Sequence, residues 1–200
     1  VRFDAYTATL RGPKPDDLMQ ILFDQVGPSA GFNKTRGFHT FGERMAIKDG
    51  GGHEFGAVQW GGRQGDRPMF ETKDWSVTDT IRFEVKGARS QRAAEGLRAR
   101  FEHRVTRVDS CADFDAPGAF EALLGPSIEV KKDRRIMGGK AGDWDDFPEK
   151  GRTLYLGSQS SPVRMRLYEK GLQPEYAHLQ RPNWARIEVQ VRPAKEAKEA

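Results

Sequence analysis

Three stretches in the second half of this chain alternate apolar and polar residues with a period of two, and that period commits them to a sheet. They are "RVDSCADFD" at 107–115, Val163–Lys170 and Ala185–Arg192. In an extended strand successive side chains point to opposite faces, so each stretch has one apolar and one polar face. The polar faces group Arg107, Asp109, Cys111 and Asp113, then Arg164, Arg166, Tyr168 and Lys170, then Arg186, Glu188, Gln190 and Arg192. Ile187, Val189 and Val191 are left to face the core.

Other elements follow from local signals. Residues 1–10 alternate well enough for a first strand. Pro15-Asp16-Asp17 opens a helix with acids in the first turn, where the dipole favours them. Leu18, Ile21, Leu22 and Val26 give its apolar stripe, and Gly27-Pro28 ends it. The segments 37–47 and 53–62 read as a hairpin around "KDGGG", and 79–87 as the next strand. A second helix spans 90–103 with Ser90 as N-cap. A strand over 104–115 and a short third helix over 116–125 follow. Residues 126–151 are irregular, with a basic cluster "KKDRR" and an acidic loop. Strands over 152–170, interrupted at Gly157-Ser158, and over 183–192 close the domain. The predicted class is α+β: a mainly antiparallel central sheet, two to three helices, and ferredoxin-like or split βαβ elements. One domain over 1–193 and a frayed polar tail over 194–200 are expected.

Composition narrows the function. At 200 residues the chain can bury one substantial core. With 31% charged residues and a mean hydropathy of −0.74 it reads as a polar, cytoplasmic protein without membrane contact. No run approaches the ~20 apolar residues of a membrane span. "VRFDAYTATL" lacks the features of a signal peptide, and the missing initiator Met leaves open a fragment of a longer chain. The single Cys111 excludes an internal disulfide framework and multi-thiolate zinc. A net charge of +4, with Arg89, Arg92, Arg98, Arg100, Arg104 and Arg107 grouped around the second helix and the strand after it, points to nucleic acid or to a solvated helix face. The glycine pairs are followed by no Lys-Ser/Thr and no helix, which speaks against nucleotide hydrolysis.

If the three alternating strands are neighbours, Tyr168 meets carboxylates and guanidinium groups together. A free tyrosine titrates near pH 10. Adjacent cations favour its phenolate, a nucleophile. Carboxylates can hold a hard divalent ion, Mg²⁺ or Mn²⁺, that polarises a phosphodiester oxygen. The same pattern also fits a solvated sheet with cross-strand Arg–Glu pairs and a packing tyrosine. His39, His53, His103 and His178 are scattered and form no paired metal motif, and His39 and His103 read as surface or hydrogen-bonded structural residues. Trp60, Trp75, Trp144 and Trp184 could stack on unpaired bases, Trp144 being the most open.

The combined C-terminal motifs are more specific. Tyr155-Leu156-Gly157-Ser158, Arg166-Leu167-Tyr168-Glu169-Lys170 and Trp184-Ala185-Arg186-Ile187-Glu188 follow one another in the order of a known pattern, with "VTRVDSCADFD" and "AVQWGG" upstream. This resembles the replication initiation factor family, which includes rolling-circle initiators of filamentous phages and plasmids and related relaxases of integrative elements. The resemblance implies a metal-dependent DNA nickase and strand transferase. Tyr168 would be the nucleophile forming a 5′-phosphotyrosyl link, and Arg166, Lys170 and Arg186 would bind or activate phosphate. Asp109, Glu188 and Asp113 would be the metal ligands. Arg164, Lys131, Lys132, Arg134 and Arg135 are expected to contact DNA phosphates. Implied partners are a single-stranded or hairpin DNA origin, a host helicase and a second copy of the chain. A non-catalytic origin-binding or regulatory protein is the alternative, as is a conjugative relaxase. Gln159 departs from the basic residue often found after Gly-Ser in the family.

Overall fold

The computed structural model describes residues 1–26, 31–37, 41–64, 67–68, 80–133, 135–144 and 151–193. The chain divides into two compact units, one built on Phe3–Val108 and the other on Val1–Arg2 with Asp109–Arg192.

The first unit carries strands β1 (Arg2–Arg11), β2 (Gly31–Arg36), β3 (Phe41–Lys48), β4 (Glu54–Gln64), β5 (Arg67–Pro68) and β6 (Thr80–Lys86). It also contains helices α1 (Pro15–Phe23) and α2 (Ser90–Arg100) and the start of β7 (Arg104–Asp115). Its strands lie in the order β2-β3-β4-β6-β1, neighbours in this order being antiparallel. The β3–β4 hairpin forms as predicted because the Asp49 carboxylate accepts from the amides of Gly51 and His53 and closes the turn. In α1, Asp17 accepts from the Lys14 amide at 3.0 Å, and Leu18, Ile21 and Leu22 are buried. They join Leu10, Ile47, Val58, Phe83 and Leu97 in one core. The α2 start differs from expectation: a 3₁₀ turn over Gly87–Arg89 precedes it and Arg89 holds the N-cap position. Ser90 is the first helical residue, and its buried hydroxyl caps nothing. The segment β6–α2–β7 has β1 between its two strands, the split βαβ arrangement expected.

The second unit takes the rest of β7, then α3 (Ala119–Lys131), β8 (Gly138–Gly142), β9 (Arg152–Leu156), β10 (Val163–Glu169) and β11 (Trp184–Val191). Its strand order is β7-β11-β10-β9-β8. One face of this sheet is apolar: Leu154, Leu167, Ala185 and Ile187 pack under Phe120, Leu123 and Leu124 of α3. The helix runs past the predicted end at 125 with Pro126 inside it, and Ser127 Oγ donates to the Leu123 carbonyl at 2.8 Å. Strand β8 falls in the region expected to be irregular. Three of its five residues are glycine, which carries no strand signal, and it forms by pairing with β9.

A tight turn joins β9 to β10. Gly157 has φ +89°, and a Cβ there would sit 2.7 Å from the Val163 carbonyl oxygen. The serines that follow close on themselves, with Ser158 N donating to Ser161 Oγ at 2.9 Å. The Gly-Ser pair is thus required by backbone conformation and close approach. Replacing Gly157 with Ala is expected to destabilise the protein by about 2 kcal/mol. Urea unfolding checks this, and an unchanged midpoint would refute it.

Candidate functional site

The register of β10 against β11 sets the site. Tyr168 lies opposite Arg186, Arg166 opposite Glu188, and Arg164 opposite Gln190. On the other side of β10, Tyr155 faces Arg166 and Thr153 faces Tyr168. These side chains stand on the sheet face away from the apolar layer under α3, as the alternation predicts.

The Tyr168 hydroxyl donates to Glu188 Oε2 at 3.4 Å, and Arg166 Nη2 donates to the same oxygen at 2.7 Å. The Arg166 guanidinium lies 4.8 Å from the centre of the Tyr168 ring, and Lys170 Nζ 5.7 Å from it. Burial works against the Arg166 charge, but the hydrogen bond and charge of Glu188 outweigh it, so this guanidinium is held above its ordinary pKa. Lys170 is buried in turn, with Nζ 3.9 Å from the Tyr176 ring centre and 5.3 Å from that of Trp184. The turn that carries it packs tightly, since a Cβ on Gly171 would lie 1.8 Å from the Arg181 carbonyl oxygen.

The polar face is not the open, solvated surface that its composition suggests. Tyr168 is 2% exposed, Glu188 4% and Arg186 2%, whereas Val191 on the supposed core side is 38% exposed. Stacked cations and aromatic rings cover one another, and Arg186, Glu188 and Lys170 each have an opposite charge or a ring face against them. Arg166 is the exception in access: its side chain is 40% exposed while its head group binds the buried Glu188.

Asp113 has a different task from the one expected of it. Its Oδ1 accepts from Arg186 Nε at 2.6 Å and from Trp184 Nε1 at 2.8 Å, and its Oδ2 from Arg186 Nη2 at 2.8 Å and Arg2 at 3.1 Å. Both oxygens are thus occupied by donors, and the carboxylate clamps β7 to β11. Arg186 is correspondingly locked against Asp113 and buried. Asp109 is buried on β7, where Gln190 Nε2 approaches it at 3.4 Å. Among the described residues no three His, Cys, Asp or Glu side chains gather closely enough to hold a metal ion.

The expected DNA contacts are also dispersed. Arg164 stacks over Tyr155 at 4.3 Å. Lys132 is paired with Glu129 at 2.6 Å and Arg135 with Asp133 at 2.7 Å, both exposed, while Lys131 ends α3 half-buried. Arg134, Trp75 and His39 lie outside the described residues. Trp144 is not open for stacking: its Nε1 donates to the Ala141 carbonyl, and its ring packs on Phe120 and Lys140. The sequence reading missed Arg152, whose guanidinium binds Glu169 through Nε and Nη2 and reaches Glu121. Glu169 therefore anchors β10 to β9 next to Tyr168, and its place between Tyr168 and Lys170 was the only signal for it.

Over residues 127–198 the chain matches the replication initiation factor family. That segment contains Arg166, Tyr168, Lys170, Arg186 and Glu188, and there the resemblance drawn from the sequence is borne out. Asp109 and Asp113 lie before it. Among solved structures, the chain is similar to a rolling circle replication initiator protein from Geobacillus stearothermophilus. That likeness has a TM-score of 0.63 at 17% identity and covers 98% of this chain and 75% of that one. At that identity it speaks for the α+β fold. No curated protein matches the chain.

The clamp has a pH signature. Partial burial pushes the Asp113 carboxyl up, but the hydrogen bonds from Arg186 and Trp184, with the charges of Arg186 and Arg2, outweigh it and hold the group below its ordinary 3.8. A carboxyl lowered on folding stabilises the fold fully above that ordinary value, and the contribution is lost as pH falls through the lowered one. Replacing Asp113 with Asn should therefore destabilise the protein at pH 7, by about 3 kcal/mol because the buried Arg186 loses the carboxylate charge against it. The gap to the wild type should close below pH 4. Thermal melts across pH 2–7 test this, and a gap independent of pH would refute it.

Proposed function

We propose that this protein is a rolling-circle DNA replication initiator that nicks one strand at an origin through Tyr168 and later rejoins strands. The observation that carries the reading is the Tyr168 hydroxyl within reach of the Glu188 carboxylate, between the cations Arg166 and Lys170. The family match over residues 127–198 supports it. Among the described residues no helix is long and apolar enough to cross a membrane.

Arg166 is the partly exposed group at the mouth of the site, so an incoming phosphodiester meets it first. The phosphate competes with Glu188 for this guanidinium. As Arg166 turns to the phosphate, Glu188 is left to accept the phenolic proton. The Tyr168 oxygen attacks phosphorus, the bond from phosphorus to the 3′ oxygen breaks, and that oxygen leaves and takes up a proton. The product is a 5′-phosphotyrosyl link and a free 3′ hydroxyl. Arg166 and Lys170 offset the charge that builds on the phenolate and on the phosphoryl oxygens. Reversal, with a 3′ hydroxyl attacking the phosphotyrosine, rejoins the strand because the linkage keeps one ester bond for each ester bond broken.

A divalent ion fits this donor set in a limited way. Asp109 and Glu188 are buried carboxylates on neighbouring strands, and a Mg²⁺ or Mn²⁺ ion is commonly held by one or two carboxylates with water and substrate phosphate completing its shell. Such an ion, when bound, supplies positive charge to a phosphodiester oxygen.

Tyr168→Phe should bind single-stranded origin DNA with wild-type affinity and form no adduct on a denaturing gel. Nicking at the wild-type rate by this variant would end the assignment. A wild-type protein whose DNA complex dissolves fully in detergent would favour the non-catalytic alternative. Glu188→Gln should keep the fold, since an amide can still accept from Tyr168 and Arg166, yet cleave at least about 100-fold more slowly.

A further inference from the structure

The first unit holds a cleft of about 520 Å³ that the tyrosine site does not use. Phe3 and Tyr6 of β1, Val105 and Val108 of β7 and His103 line one part of it, and Gln91, Ala94, Glu95 and Arg98 of α2 the other. Its volume is in the range of small-molecule sites. The aromatic part is preorganised. The Phe3 and Tyr6 rings lie 17° from parallel with centres 6.4 Å apart, and the Tyr6 hydroxyl contacts His103 Nε2 at 2.6 Å. His103 Nδ1 lies 2.9 Å from the Phe101 carbonyl oxygen, which can only accept, so Nδ1 carries the proton and Nε2 accepts from Tyr6. The polar atoms of this pair are therefore satisfied by each other and by backbone, and with Tyr6 buried behind them, Phe3 and His103 are the partly exposed rings the cleft offers.

The helical part is opposite in character. Gln91, Glu95 and Arg98 stand at i, i+4 and i+7, on one face of α2, and all three are exposed. Gln91 Nε2 donates to Glu95 Oε1 at 3.2 Å, which steadies the carboxylate. The cleft thus sets a carboxylate acceptor and a guanidinium donor beside aromatic and aliphatic walls. A planar ligand with adjacent N–H donors and, beyond them, two acceptors matches that order. Guanine has it: N1–H and the exocyclic amine suit Glu95, while O6 and N7 suit Arg98. A bare phosphate would face Glu95 and does not match.

We propose that this cleft takes one unpaired guanine base of the bound strand, its plane against Phe3 and His103, which Tyr6 backs, and its edge read by Glu95 and Arg98. That the base comes from DNA rests on the function proposed for Tyr168; the match to guanine does not. The test titrates the whole protein with dGMP, dTMP and deoxyribose 5-phosphate and follows the backbone amide signals of Ala94 and His103 by NMR. Saturable shifts are expected with dGMP, shifts at least about tenfold weaker in affinity with dTMP, and none with the sugar phosphate. Glu95→Ala and Arg98→Ala should each weaken dGMP binding about tenfold. Both positions are exposed, so circular dichroism should report an intact fold. Equal responses to dGMP and the sugar phosphate, or unchanged dGMP affinity in both variants, would overturn the proposal. The covalent-adduct assay on the wild type is run alongside. An adduct without dGMP binding defeats the cleft alone, and dGMP binding without an adduct defeats the nicking reading alone.

Discussion

A single carboxylate, Glu188, organises the second unit's polar face. It accepts from Tyr168 and from Arg166 while only 4% exposed. A buried carboxylate left alone would be strongly unfavourable, and a buried tyrosine hydroxyl needs a partner. Glu188 meets both needs at one oxygen. The same arrangement makes the site responsive, because any anion that draws Arg166 away changes what Glu188 and Tyr168 offer each other. The clamp of Asp113 on Arg186 and Trp184 repeats the logic one step along β11 and fixes the strand on which Glu188 stands.

The two faces of this sheet divide the work. Beneath α3 the packing of Leu154, Leu167 and Ala185 on Phe120 gives non-directional stability. The opposite face is held by charge pairs, by rings stacked under cations, and by register. Since β10 pairs with β11 residue for residue from Val163 to Glu169, a slip of one position would send Tyr168 and Arg166 into the apolar layer. Apolar burial on one side therefore enforces the geometry of the chemistry on the other. Arg152 strengthens that register from a third strand, β9, by binding Glu169 of β10.

Much of the fold was legible, for identifiable reasons. The strand over 104–115 and the strands containing Tyr168 and Glu188 were readable because alternation is imposed by the backbone itself. Strand β8 was not, because glycine-rich backbone carries no pattern and pairs only once β9 offers a free edge. The end of α3 was misjudged because Pro126 and Gly125 read as breakers, yet the packing of its first turns carries the helix onward. Trp144 looked open because it sits in a polar stretch, and nothing local showed that Phe120 and Lys140 would meet it.

The sequence by itself determined the alternating strands, the face on which each polar side chain stands, and a similarity to the replication initiation factor family over 127–198. These depend on neighbours in the chain or on the fixed period of a strand. Only the tertiary structure decided which carboxylate meets which cation. Asp109, Asp113 and Glu188 are alike in sequence, each an acid on the polar face of an alternating strand. Strand order and register gave Asp113 to Arg186, left Glu188 shared by Tyr168 and Arg166, and set Lys170 against the ring of Tyr176 from a turn no periodicity describes. Electrostatic pairing acts across a few ångströms of space, and such distances are set by the fold rather than by spacing along the chain.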